Sequence, residues 1–349
     1  MLSSPSRPLR LSCILATLAL VCGSCGDRKS SREVVLYASI DETYTREVAR
    51  LFEAQTGITV KLVSDTEATK STGLVNRLIA EKNRPVADVF WSGDVMRAAM
   101  LKQRGIARPY QPAGIGDLPK FHSDPDQAFT GTAGRLRLIV YHKDRAGDTL
   151  PSSVLDLAEP EFAGRSCLAN PMFGTSSMHA AVLFESLGDE RARKFFRDFA
   201  ANGGRMLSSN GEVKRRVASG EFAFGLTDSD DVSVALGDGK PVGFIVPDQQ
   251  DGGSGAVLIP TAAVLIEGAP HPEEARKLVD FLASATVENY LAESIAGHFP
   301  LRPGQPGPKL LGIDLSRART ISLDFTSLAK TMETLQDGFL KDWTAAQAR

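Results

Sequence analysis

The chain lacks a charge excess of either sign, a cysteine framework, a hydrophobic run long enough to span a bilayer and any internal repeat, and each absence removes a class of function. Forty Lys and Arg against 42 Asp and Glu leave a net charge of −2. With no basic stripe or tail, neither a nucleic-acid groove nor a polybasic membrane patch is indicated. The four cysteines, at 13, 22, 25 and 167, offer neither the second CxxC pair of a zinc site nor a disulfide scaffold. Cys167 reads as a small buried apolar side chain. The apolar run Leu11–Cys22 is about a dozen residues, short of the roughly 20 that cross a bilayer.

What is present is enough apolar sequence, 42% of 349 residues, for one large core or two medium ones. Arg7 and Arg10, the apolar run and the small residues Gly23-Ser24 form an export signal over residues 1–24. Its removal takes away two arginines and no acid, shifting the net charge from −2 to −4. Cys25 then stands where an acylated cysteine would, with residues 25–32 as a polar tether. The alternative is plain secretion with Cys25 free. Either places the protein outside the cytoplasm, in the periplasm or its equivalent, with the membrane met only through such a lipid.

From Val34 onward strand-like and helix-like segments alternate, the pattern of α/β architecture with largely parallel sheets. Val34–Tyr37, Thr59–Val63 and Val86–Trp91 read as strands around two helices, the first with Asp41 or Thr43 as its cap and Gly57 as its stop. Leu136–Tyr141, and the pair Val242–Pro247 with Ala256–Ile266, read as crossings to and from a second unit. That unit holds helices near Ser176–Leu187, Glu190–Ala201 and Gly211–Ala218, and the strand Phe222–Thr227. The boundaries are 33–133 for the first part of lobe 1, 134–247 for lobe 2, 248–300 for the return to lobe 1, and 301–349 for a C-terminal helical tail packing on the lobes. Two lobes on a hinge leave a cleft, where α/β sheets bind ligands beyond the carboxyl ends of their strands.

The densest chemistry follows the strand ending near Leu226: Asp228, Asp230 and Asp231. Three carboxylates so close repel one another unless a cation supplies a partner, although one such aspartate is also an ordinary helix cap. The Asp228-x-Asp230-x-Val232 spacing also suits a phosphatase with Asp228 as nucleophile and Asp230 as acid/base, but the downstream lysine and acidic pair of that chemistry are absent. Nor is there the Gly and Glu of a calcium loop. Asn170 to Ser177, running from a strand into a helix, sets Gly174, Thr175 and Ser176 where amides and hydroxyls hold an anion, and Ser209-Asn210-Gly211 repeats the arrangement. In the first lobe Tyr37, Ser39 and Asp41 follow one strand, and Trp91, Ser92 and Asp94 another, all expected to line the cleft. Glu67 and Lys70 fall at its rim.

Val34-Val-Leu-Tyr37, Phe52-Glu-x-x-Thr56-Gly57-Ile58, Ala87-Asp-Val-Phe-Trp91, Asn170-Pro with Gly174-Thr175, Asn210 and Gly220-Glu-x-x-x-Gly225 resemble the family-1 extracellular solute-binding proteins, closest to ferric-ion receptors. The resemblance implies a two-lobe type II periplasmic-binding fold with a hinge and central cleft, no catalysis, and delivery of cargo to the permease and ATPase of an ABC importer. It implies Fe(III) as cargo with a synergistic anion such as phosphate or carbonate. Gly174, Thr175, Ser176, Asn210 and Asp228 stand at the anion side, and Asp41, Asp94, Asp230 and Asp231 at the metal side. Where that family presents a Tyr-Tyr pair this chain has Asp230-Asp231, so the phenolates suited to Fe(III) are missing. Two cargoes follow from one scaffold: a metal, foremost Fe(III), on the aspartates, or an organic phosphonate or carboxylate gripped by Thr175, Ser176 and Asn210 with its amine on the aspartates.

Overall fold

In the computed structural model, which describes residues 32–65, 72–116, 118, 119 and 123–347, the first lobe is built on β1 (Glu33–Ala38), β2 (Thr59–Ser64) and β3 (Val89–Ser92), parallel in the order β2-β1-β3. Helices α1 (Glu42–Thr56), α2 (Thr72–Ala80) and α3 (Val95–Gln103) connect or follow them. Tyr44, Val48 and Phe52 form the buried stripe of α1, and Gly57, at φ +68°, ends it by donating its amide to Glu53 at 2.8 Å. β3 begins three residues later than the sequence pattern predicts. Val86 is exposed and the buried Asp88 accepts from the amides of Val35 and His271, so this stretch anchors loops before it can pair.

The two lobes share one long strand. β4 (Thr130–His142) pairs antiparallel with β9 (Leu258–Leu265) as far as Leu136, and from Arg137 onward with β7 (Phe224–Asp228) and β8 (Val242–Ile245), also antiparallel. The change of partner thus falls between Leu136 and Arg137. The second sheet adds β5 (Ser166–Ala169) and β6 (Arg205–Leu207), parallel to each other, with β5 parallel to β7 as well. The full order is β2-β1-β3-β9-β4-β7-β5-β6, with β8 on β4. The expected parallel pairing therefore holds within each lobe, while the strands at the crossings run against it.

Around the second sheet lie α4 (Pro160–Ala163), α5 (Gly174–Leu187), α6 (Asp189–Ala201), α7 (Asn210–Ala218) and α8 (Ser229–Gly237). The chain returns through β9 to α9 (Pro272–Leu282) and α10 (Ala285–Glu293), then ends in α11 (Phe325–Asp337) and α12 (Phe339–Gln347). Val34, Phe52, Trp91 and Leu278 belong to one core, and Leu138, Val213, Val232 and Phe299 to another. A third core reaches across both lobes behind the cleft. There Leu328, Met332 and Leu335 of α11 pack against α3 and α5, and Trp343 donates its ring N–H to the Phe196 carbonyl at 2.8 Å. Cys167 is free and fully buried, and burial pushes its thiol pKa up. No helix among the described residues is long and apolar enough to cross a membrane. The expected export signal, Cys25 with most of its tether, and the rim residues Glu67 and Lys70 lie outside the described residues.

Candidate functional site

A cleft of about 630 Å³ opens where the carboxyl ends of the parallel strands of both lobes meet. Its walls are helix N-termini: Asp41 precedes α1, Asp94 precedes α3, Gly174, Thr175 and Ser176 begin α5, Asn210 and Gly211 begin α7, and Asp228 precedes α8. Five half-charges of positive sign therefore converge on one space. Three of these ends carry an aspartate at the cap. The other two do not: α7 is capped by Ser209, and α5 has no side-chain cap at all, leaving its first-turn amides available to an anion.

Arg135 and Arg137, two apart on β4, face the same side of the strand. Arg137 is 1% exposed and donates to Asp228 at 2.7 Å, Asn210 at 3.1 Å and Thr175 at 3.4 Å. Thr175 donates its hydroxyl to Asp228 at 2.6 Å, and Asn210 donates its amide to Thr175 at 2.8 Å and to Asp228 at 3.2 Å. Ser176 donates to Asn210 at 3.2 Å. The strand tip and two helix ends of the second lobe are thus locked into one hydrogen-bonded plate.

Arg135 is 8% exposed and sits between the lobes. It donates to the Gly93 carbonyl on the first-lobe side, and it pairs with Asp230 at 3.3 Å and Asp228 at 3.4 Å on the other. Burial alone would lower its pKa, but Asp230, Asp228 and Asp41 hold it above the usual arginine value, so it is charged. Asp231 accepts from Thr227 at 2.8 Å and pairs with Lys214 at 3.3 Å. Burial and the neighbouring Asp230 nevertheless push its carboxyl up to about 7.

This placement bears on each expected site residue. Asp230 and Asp231 lie in the first turn of α8, and Asp228 is both the end of β7 and the cap position, because the strand runs one residue beyond the expected Phe222–Thr227. Asp228 lines the cleft and accepts from Arg137, Thr175 and Asn210. Asp41, Asp94, Asp230 and Asp231 all line the cleft, but Asp94 is engaged as a helix cap, accepting from the Arg97 amide at 3.0 Å. Among the described residues no three His, Cys, Asp or Glu side chains come together as a ligand group. Ser39 lines the cleft and accepts from the Gly93 amide at 2.9 Å.

Three residues expected to line the cleft do not. Tyr37 is fully buried in the core under Arg77 and donates to Glu81; burial and the Glu81 carboxylate raise its pKa to about 12, against the opposing pull of the Arg77 guanidinium. Trp91 is core, its ring N–H donating to Thr132 at 2.9 Å, and Ser92 turns its hydroxyl onto the Asp94 carbonyl. Tyr37 and Trp91 lie within β1 and β3, whose side chains stand on the faces of the sheet and pack into the cores, whereas the cleft opens beyond the strand ends, at Ser39 and Gly93.

Sequence reasoning missed the basic side of the site: Arg135, Arg137, Lys214 and Arg215. A signal existed. Arg135-Leu-Arg137 interrupts an otherwise uncharged stretch, Thr130–Tyr141, and charge inside a buried strand is costly unless it is paired.

Residues 84–314 match a family described as bacterial extracellular solute-binding protein. Iron uptake protein A1 of Synechocystis sp. is 26% identical over 285 residues, 79% of this chain and 77% of that protein. A periplasmic protein of Salmonella typhimurium named for 2-aminoethylphosphonate binding is 26% identical over 247 residues, 69% of either chain. Among solved structures, iron-bound HitA from Pseudomonas aeruginosa superposes with a TM-score of 0.78 at 21% identity, covering 88% of this chain and 98% of that one.

Proposed function

The chain belongs to the bacterial extracellular solute-binding proteins, the capturing components of importers rather than enzymes, and from that premise we propose that its cargo is a small organic anion of the phosphonate, phosphate-ester or carboxylate class. One observation carries this reading: the uncapped N-terminus of α5 opens into the cleft beside the Ser176 hydroxyl and the Asn210 amide, and two buried guanidiniums stand behind them. Amide donors held in place by such a plate bind an oxyanion without reorganising. The lobes, with boundaries near 33–133, 134–247 and 248–300, close because the cargo gains contacts to both only in the closed state. The closed form is then read by a permease coupled to an ATPase.

A thermal-shift panel of methylphosphonate, 2-aminoethylphosphonate, inorganic phosphate, sugar phosphates and citrate tests this reading. A saturable rise in melting temperature with at least one is expected, and no response to any removes the organic-anion reading.

The second reading is Fe(III) with phosphate or carbonate as synergistic anion, favoured by relatives named for iron and by the five aspartates on the cleft wall. It calls for stoichiometric Fe(III) uptake in calorimetry, lost in Asp230→Ala/Asp231→Ala. We also propose that the exported chain is held at the membrane through a lipid on Cys25. It should then partition into detergent and cease to do so as Cys25→Ser.

A further inference from the structure

Among the described residues Arg135 is the one basic side chain in the cleft that reaches acceptors of both lobes: the Gly93 carbonyl of the β3–α3 turn, and Asp230 and Asp228 at the start of α8. It lines the cavity, and its Nε, buried, has no hydrogen-bond partner among the described residues. Asp94 and Asp41 stand on the first-lobe wall, and Asp230 and Asp231 on the other. The Arg135 guanidinium already links those walls, through the Gly93 carbonyl and the Asp230 carboxylate. An ion bonded to the Asp230 carboxylate would stand roughly 4–5 Å from Nη1, and at an effective dielectric near 20 that repulsion corresponds to roughly 10³-fold in affinity for each unit of charge on the ion.

We propose that Arg135 is the residue that sets the charge of the cargo: a covalently attached cation that neutralises the acidic cluster, refuses a metal ion, and leaves the α5–α7 end to an anion that arrives without one. This rests on the organic-anion reading and deepens it. Asp228 and Asp230 have a cationic partner within the chain itself, so they create no demand for a cation from solution. Lys214 does the same for Asp231.

The test uses the exported chain as wild type, Arg135→Met, Arg135→Gln and Arg135→Lys, freed of metal by dialysis. Each is titrated calorimetrically with Ga³⁺ supplied as its nitrilotriacetate complex, and separately with methylphosphonate and inorganic phosphate. Wild type and Arg135→Lys are expected to show no gallium uptake, while Arg135→Met gains a single site at least about 10³-fold above the wild-type limit. Arg135→Gln, which keeps a donor toward Gly93, answers the same question if the Met variant does not fold. Gallium uptake by wild type as tight as by the neutral variants overturns the proposal, and so does no uptake by any neutral variant that folds. The anion arm fails separately: wild type that ignores gallium and the anions alike refutes the cargo reading and leaves the comparison at Arg135 intact.

Discussion

Replacing Arg137 by Met removes the charge that holds the binding plate together and leaves the Asp228 carboxylate buried. The ion pair is 2.7 Å long, and Arg137 and Asp228 are 1% and 2% exposed. Breaking such a pair from one side costs about 3–5 kcal/mol, because the remaining charge is stranded. Asp228 keeps Thr175, Asn210 and, at 3.4 Å, Arg135, which argues for the lower end, about 3 kcal/mol. A folded unit of some three hundred residues unfolds with an entropy near 0.7 kcal/mol/K, so the melting temperature should fall by about 4–5 °C in scanning calorimetry. The double variant Arg137→Met/Asp228→Asn removes the stranded charge and keeps an acceptor, so it should recover most of the loss, giving a coupling energy of at least about 1.5 kcal/mol. A single variant melting within about 1 °C of wild type, or a double variant whose loss equals the two single losses added, would refute the claim that this pair organises the site.

Other consequences can be measured directly. Asp231 titrates near 7 in the fold against 3.8 as a free side chain. The folded state therefore holds the proton longer, so its stability contribution is complete at acid pH and is lost as pH rises from about 4 to about 7, by at most roughly 4 kcal/mol. Asp231→Asn should flatten the melting-temperature profile over that window and melt higher than wild type at pH 8; a profile unchanged by the substitution defeats the assignment. Asn210→Ala should weaken the anion that registers in the thermal-shift panel by about tenfold or more, the worth of one hydrogen bond to a charged group, and equal affinity would place the anion elsewhere. At Gly225 an added Cβ would lie 2.5 Å from Val213 Cγ1 and 3.2 Å from Cys167 Sγ, so Gly225→Ala should cost about 1–3 kcal/mol by overpacking α7 on β7. Val213→Ala in the same chain should return much of it, and a neutral Gly225→Ala would show that α7 does not sit this close.

Local pattern was enough for elements whose signal is self-contained. The apolar stripe of α1 with Gly57 as its stop, the Ser and Gly residues opening α5 and α7, and the aspartates after β7 are features of neighbouring residues, which is where periodicity and capping act. Side-chain direction was harder. Tyr37 and Trp91 precede the cleft residues Ser39 and Gly93 by two positions and point into cores on opposite faces of the sheet, because they still lie within β1 and β3 while the cleft opens beyond the strand ends.

By itself, the sequence determined that this chain is an α/β protein of two lobes, without charge bias or cysteine scaffold, with short polar motifs at the strand tips and helix starts. Those are consequences of composition, spacing and backbone preference, which act over a few residues at a time. Only the tertiary structure decided what the aspartates pair with. It brought Arg135 and Arg137, some ninety residues away in the chain, against Asp228 and Asp230 by switching β4 from one sheet to the other between Leu136 and Arg137. Whether a buried carboxylate awaits a cation from solution or already has one is settled by distance in space, and spacing along the chain carries no record of it.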